Sequence, residues 1–374
     1  MDNKKENKMD STLIGSVLNN KMKEKLLSSW KTYDKFEKTS AFVMLLLLAI
    51  LITLNVLSLD EQAKEFKSIF LIITLTLFAK MLERSQKSKQ ELLEKNKIII
   101  EQKHEVEKQK EVVEEKNKEI TDSIEYALRI QTAILPPPKL VKQYLENSFI
   151  LYKPKDIVAG DFYWMETVEP TTNNQQQTTI LFAACDCTGH GVPGAMVSVV
   201  CHNALNRAVR EFGLTQPAAI LDKTAEIVIE NFSKSEESIK DGMDISLASL
   251  NLETMELQWA GANNPLWLLQ NGELMETKAN KQPIGMNEDS KPFTNHRFTV
   301  NRGDTIYLFT DGFADQFGGD NGEKKLTKRR FKEVVLSLQN KTLPDQGIAL
   351  DKFINEYRKE VEQIDDILVM GVRV

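Results

Sequence analysis

The sequence predicts an α+β domain over residues 140–374, set behind an apolar N-terminal segment and a long helical rod. Three observations carry that reading. In the C-terminal two-thirds, strand-like runs cluster and helical patterns cluster, which favours separate sheet and helix layers over an alternating parallel sheet. Residues 83–135 contain no Gly or Pro and repeat an apolar residue every seven positions. Residues 39–59 hold 21 positions without a charge, about the length that crosses a bilayer core.

Composition narrows the classes. A chain of 374 residues suits about two folding units with extensions. Apolar residues at 41% and charged residues at 27% exclude a wholly disordered, fibrous or membrane-embedded protein. With 48 Lys and Arg against 54 Asp and Glu, the net charge of −6 offers no basic excess for nucleic acid. Cys185, Cys187 and Cys201 are odd in number and crowded together, so a reducing compartment fits better than a disulfide framework.

Taken in order, residues 1–38 form an N-terminal segment with nine Lys. Residues 39–82 read as a transmembrane hairpin. Its first span is 39–59, with Leu45-Leu46-Leu47-Leu48 inside it. The second is Phe66–Leu82, charge-free only from Ser68 to Ala79, with Lys67 and Lys80 snorkelling outward. A short loop, Asp60–Glu65, joins them. Lysines before the first span, and Lys80, Arg84, Lys87 and Lys89 after the second, place both flanks inside. The expected location is the cell inner membrane, with N-terminus and C-terminal domain cytoplasmic.

Residues 83–135 read as a coiled-coil signalling helix. Leu92, Ile99, Val106, Val113, Ile120, Ala127 and Ile134 form one seam. The second seam is polar at Asn96, Lys103, Lys110 and Asn117, then apolar at Ile124, so the coil is weak. The expected assembly is a parallel homodimer. Pro136-Pro137-Pro138 stops the helix.

Within 140–374, strands are predicted at Ile180–Cys185, Ser246–Leu250, Glu256–Ala260, Leu266–Leu269, Thr305–Thr310 and Ile367–Val374. Asn271-Gly272 marks a hairpin turn. Helices are predicted at Ala195–Glu211, opened by Pro193, and at Pro217–Phe232, Lys328–Leu338 and Ala349–Val361. The polar stretch Glu169–Thr179 reads as a long hairpin loop.

The chemistry sits on aspartates at strand ends. Asp161 follows Gly160, Asp186 closes the run from Ile180, and Asp311 closes Tyr307–Thr310. The pair Asp365-Asp366 opens the last strand. Carboxylates converging at one rim repel unless a cation neutralises them. Hard oxygen donors without a His or Cys cluster favour magnesium or manganese over zinc. The stretch Asp186–Met196 adds glycines for a tight turn, and it lacks the Gly-Lys-Ser/Thr signature of a P-loop. His190 is read there as a general acid, a neighbour of the metal shell or a structural residue.

These residues resemble a known family. Residues 123–374 are similar to the sporulation stage II protein E type of bacterial serine/threonine phosphatases, a branch of the protein phosphatase 2C (PPM) superfamily. The match rests on Val158-Ala159-Gly160-Asp161-Phe162-Tyr163-Trp164, Asp186-Cys187-Thr188-Gly189-His190-Gly191-Val192-Pro193, Phe309-Thr310-Asp311-Gly312 and Asp365-Asp366-Ile367. Softer matches are Asp241–Asp244, Ala260–Pro265 and Pro283–Gly285. The resemblance implies an αββα sandwich with two Mn or Mg ions between the sheets. By position, it implies that Asp186 bridges both ions and that the Cys187 carbonyl serves one. Asp311 and Asp365 would complete the second, and Asp161 would hold water or a further ion. The implied chemistry is in-line attack of water on phosphorus without a covalent phosphoenzyme. The implied substrate is a phosphoserine or phosphothreonine on an anti-sigma-factor antagonist. The eukaryotic relatives' phosphate-binding Arg has no counterpart, although Lys153 and Lys155 lie just upstream of Asp161. The alternative reading is a non-catalytic adaptor that binds such a partner. A sensor kinase is disfavoured, because His104 is isolated and no Gly-rich nucleotide boxes follow.

Overall fold

The computed structural model describes residues 35–53 (with 36–37, 41, 48 and 51 left out), 61–169, 178–233 and 241–374. The chain divides into two units, Met1–Lys116 and Asn117–Val374. The described residues of 35–53 are helical. The rest of the expected first span, and most of its flanking segment, lie outside the described residues. Helix α1 (Glu61–Ile134) runs unbroken for 74 residues, from the first unit into the second.

Two sequence expectations are corrected here. Glu61–Glu65, expected in a loop, is helical, since nothing in that stretch breaks a helix. Phe66–Leu82, expected as a separate second span, is one part of the same helix. No described helix is long and apolar enough to cross a membrane. In α1 the reason is that Lys67 and Lys80 bracket too short a charge-free run. Further along α1, Lys97–Glu101 and Lys110–Glu114 pair at one-turn spacing. The seam residues Val106, Val113 and Ile120 are exposed. α1 stops one residue before Leu135 and the proline run, and Pro138 opens α2 (Pro138–Tyr144).

The second unit is two antiparallel five-stranded sheets between helical layers, the αββα arrangement that the resemblance implied. One sheet runs β1 (Ser148–Lys153), β12 (Ile367–Arg373), β9 (Thr305–Phe309), β6 (Leu266–Gln270), β7 (Glu273–Thr277). The other runs β2 (Phe162–Val168), β3 (Thr179–Cys187), β4 (Met243–Asn251), β5 (Glu256–Ala262), β8 (His296–Thr299). α3 (Gly191–Arg210) and α4 (Pro217–Ser233) cover the second sheet. α5 (Gly312–Asp315), α6 (Thr327–Ser337) and α7 (Leu343–Arg358) cover the first. A small ribbon, β10 (Phe317–Gly318) with β11 (Lys324–Lys325), follows α5. Asn271 and Gly272 both take positive φ between β6 and β7, the turn expected from that dipeptide. β2 and β3 pair up to Val168 and Thr179, so Glu169–Thr179 does connect a hairpin, although 170–177 lie outside the described residues.

Strand alternation decides which side chains face the space between the sheets. In β3, Leu181, Ala183, Cys185 and Cys187 pack under α3 and α4, while Ile180, Phe182 and Ala184 pack against the opposite sheet. In β9, Ile306 and Leu308 face inward, and Tyr307 and Phe309 face the outer helices. In β12, Leu368 and Met370 face inward. Continuing each alternation by one step puts Asp186, Thr310 and Asp366 on the inter-sheet side. Asp161, two residues before the inward-facing Tyr163, has the same parity.

Candidate active site

Register brings those positions to one end of the sandwich. Phe162 pairs with Cys185, so Asp161 and Asp186 leave their strands together. Asp186 lies directly opposite Asp244 across the β3–β4 ladder, a like-charge pairing that costs stability unless something offsets it. Val369 pairs with Phe309, which brings the start of β12 to the end of β9. A cleft of about 250 Å³ opens here, lined by Asp186, Cys187, Asp244, Asp311 and Asp365, with His190 at its edge.

Behind the cleft lies a buried polar layer. Asp161 is 2% exposed, and its Oδ2 accepts a 2.7 Å hydrogen bond from Thr310 Oγ1. Asp366, also buried, turns away from the cleft. Its carboxylate accepts from the backbone N–H of Lys155 (2.7 Å) and of Gly160 (2.7 Å). Asp365 keeps its place in the cleft lining and accepts from the Asp366 N–H at 2.8 Å. The two adjacent carboxylates therefore do different work: one fastens a loop and the other faces solvent.

The loop that carries Asp161 is held from a third side. Gln131, near the end of α1, donates to the Ala159 carbonyl at 2.6 Å and accepts from the Ala159 N–H at 3.1 Å. The same amide donates to Ser198 Oγ of α3 at 3.1 Å. Next to it, a Cβ at Gly160 or at Gly194 would run into the Gly189 carbonyl. These glycines let the Asp161 loop, the Asp186–His190 turn and the start of α3 close on one another.

The electrostatics fit a cation site. Burial, and then the charge of Asp186, holds the Asp161 carboxyl well above the ordinary range. Burial, and then Asp311 and Asp365, does the same to Asp186. Asp311 and Asp244 are also raised by burial, and Lys328 works against that in both. Asp366 is raised by burial despite its backbone donors. Among the described residues no three His, Cys, Asp or Glu side chains form a ready cage. Four of the side chains that line the cleft are carboxylates, hard oxygen donors. Such donors suit magnesium or manganese, which keep several waters and take only one or two carboxylates each. On that chemistry Asp186, Asp311, Asp365 and the Cys187 carbonyl fit as donors, and Asp161 stands as an inner neighbour outside the cleft lining.

Sequence reasoning missed Asp244, Thr310, Gln131 and the role of Asp156. Asp244 could have been found, since it lies in a matched block beside a strand start, as Asp161 does. Asp156 accepts from His190 Nδ1 at 2.8 Å. Lys153 is committed to Asp351 at 2.5 Å, away from any phosphate role.

An αββα sandwich with carboxylates from both sheets meeting at one end defines a protein serine/threonine phosphatase of the PP2C type. Phosphatases of that type are metal-dependent, using magnesium or manganese. The chain belongs to the stage II sporulation protein E (SpoIIE) family, which matches residues 176–374. It is similar to the SiaA-PP2C domain of Pseudomonas aeruginosa, with 35% identity and a TM-score of 0.61 over 69% of this chain and 98% of that one. The PP2C domain of SpoIIE from Bacillus subtilis, with a fragment of its regulatory domain, shares 19% identity over 61% of this chain and 63% of that one, with a TM-score of 0.47. The RsbU and RsbW domains of Rv1364c from Mycobacterium tuberculosis share 18% over 60% and 59%, with a TM-score of 0.47. The chain thus spans less than two-thirds of the last two. No curated protein matches it.

Proposed function

We propose that this phosphatase is metal-dependent and tethered to the inner membrane, with its catalytic domain on the cytoplasmic side. Its substrate is a phosphoserine or phosphothreonine on a small partner protein of the anti-sigma-factor antagonist type, and a dimeric stalk controls it. One observation carries the catalytic part: Asp186, Asp244, Asp311 and Asp365, far apart in sequence, line one cleft. Two magnesium or manganese ions, when bound there, would offset charge on the phosphoryl oxygens and lower the pKa of water. Asp186, Asp311, Asp365 and the Cys187 carbonyl would hold them. The chain supplies a rigid frame, because Asp366 and Gln131 fix the loop that carries Asp161, and Thr310 orients the Asp161 carboxylate. The partner class is supported by the family resemblance. Support for the tether comes from apolar side chains left in the open in the first apolar run, including Phe42, Leu45 and Leu46. Support for the dimer comes from the exposed seam of α1. Phosphate release from a phosphoserine protein, measured with and without manganese, tests the function. Manganese-dependent release that vanishes in Asp186→Ala is expected, and equal turnover in that variant would reject the reading.

A further inference from the structure

A phosphate ester carries negative charge into a cleft already lined by Asp186, Asp244, Asp311 and Asp365. Cations at the rim must favour its approach, and two lysines stand there. Lys328, in the first turn of α6, acts on Asp244 and Asp311. Lys155 is the second: its Nζ lies 3.0 Å from His190 Nε2. His190 itself lines the cleft.

The Lys155 side is built as a presented cation. An ammonium only donates and a carboxylate only accepts. Between Lys155 Nζ and Asp156 Oδ2, the His190 ring is therefore neutral, with its proton on Nδ1. Asp156 lies beside the N-terminus of α3, where a Cβ on Gly191 would lie 3.0 Å from its Oδ2. A carboxylate is favoured at that helix end. The Lys155 main chain is pinned by its N–H to Asp366 Oδ1 at 2.7 Å. Both ends of Lys155 are thus held, and among the described residues its side-chain partner is a neutral acceptor that a more basic oxygen can displace. Lys153, two residues earlier, is instead neutralised by Asp351 and also touches Asn355.

We propose that Lys155, presented at the mouth of the cleft by His190 and Asp156, binds the phosphoryl group of the phosphoprotein substrate. Its ammonium moves from His190 Nε2 to a phosphoryl oxygen, and no covalent bond changes in that step. His190 is a positioning residue. The inference rests on the phosphatase reading and names the group that recognises phosphate at that site.

The test uses the full chain with manganese. Steady-state kinetics on a phosphoserine protein are combined with inhibition by inorganic phosphate, and with calorimetric binding of inorganic phosphate, in wild type and in Lys155→Met, Lys155→Arg, His190→Asn and Lys328→Met. Loss of one charge-assisted hydrogen bond predicts that Lys155→Met raises KM, the phosphate inhibition constant and the phosphate Kd together by about tenfold or more. Lys155→Arg should restore most of the affinity, and His190→Asn should give a smaller rise in the same constants. Constants within about twofold of wild type in Lys155→Met would overturn the inference, as would phosphate affinity that follows Lys328→Met alone. A wild-type chain that releases no phosphate would overturn the phosphatase reading. Calorimetry would still decide whether Lys155 binds phosphate.

Discussion

Replacing Gln131 by Met keeps the length and approximate volume of the side chain and removes every polar atom. In the wild type, this amide satisfies both the N–H and the carbonyl of Ala159, and both residues are buried. The substitution leaves two buried backbone groups without their partner, at about 1–3 kcal/mol each, or about 2–6 kcal/mol together. That is a large share of the stability of an ordinary domain, about 5–15 kcal/mol. For a catalytic unit of this size, each kcal/mol is worth about 2–4 °C, so Tm should fall by at least about 4 °C. The damage should centre on Ala159-Gly160-Asp161, the loop that Asp366 grips from the other side. Activity should therefore fall at temperatures where the variant is still folded, with a raised manganese requirement. Calorimetric melting and manganese-activated phosphate release would be measured on the same preparation. A Gln131→Met protein melting within about 1 °C of wild type, with an unchanged manganese profile, would refute the claim that this amide holds the loop.

Asp365→Asn should leave Tm nearly unchanged and raise the manganese needed for half-activation. Asp366→Asn puts an amide donor against backbone N–H groups and should lower Tm by several degrees, about 1.5–3 kcal/mol for a lost bond to a charged acceptor; equal behaviour of the two variants would contradict the division of labour between them. Asp161, Asp186 and Asp366 have raised pKa values in the folded chain, so without divalent ions the fold binds more protons than the unfolded chain. Its stability from these groups is complete below the ordinary carboxylate value near about 4 and is lost as pH rises through the folded values. The gain in Tm on adding magnesium should accordingly grow with pH, and a gain that shrinks would reverse the sign. In the stalk, Val113→Cys should give a disulfide-linked dimer under mild oxidation and Glu115→Cys should not; equal cross-linking would count against a single paired seam.

Much of the site was legible because β3, β9 and β12 each follow or precede an aspartate with plain apolar runs. The alternation in Ile180–Cys185 is enough to say which side Asp186 leaves on. β1 was not read, although Asn147 and Pro154 bound it, because Ser148–Lys153 is short and takes its place in the sheet from pairing with β12. The last helix begins at Leu343 and not at Ala349, because Thr342 accepts the Asp345 N–H and Pro344 fits the first turn. Gln131 left no local trace, since its partners are 28 and 67 residues away. The second apolar run misled through composition. Twelve charge-free residues resemble a span when Lys67 and Lys80 are allowed to snorkel, but the run belongs to one helix of 74 residues and is too short on its own.

The most direct test is manganese binding followed by electron paramagnetic resonance, alongside phosphate release, in wild type and Asp186→Asn. Convergence of the carboxylates predicts that the variant loses tightly bound manganese and hydrolysis together while its far-ultraviolet dichroism stays native. An Asp186→Asn protein that holds manganese and releases phosphate as the wild type does would contradict it.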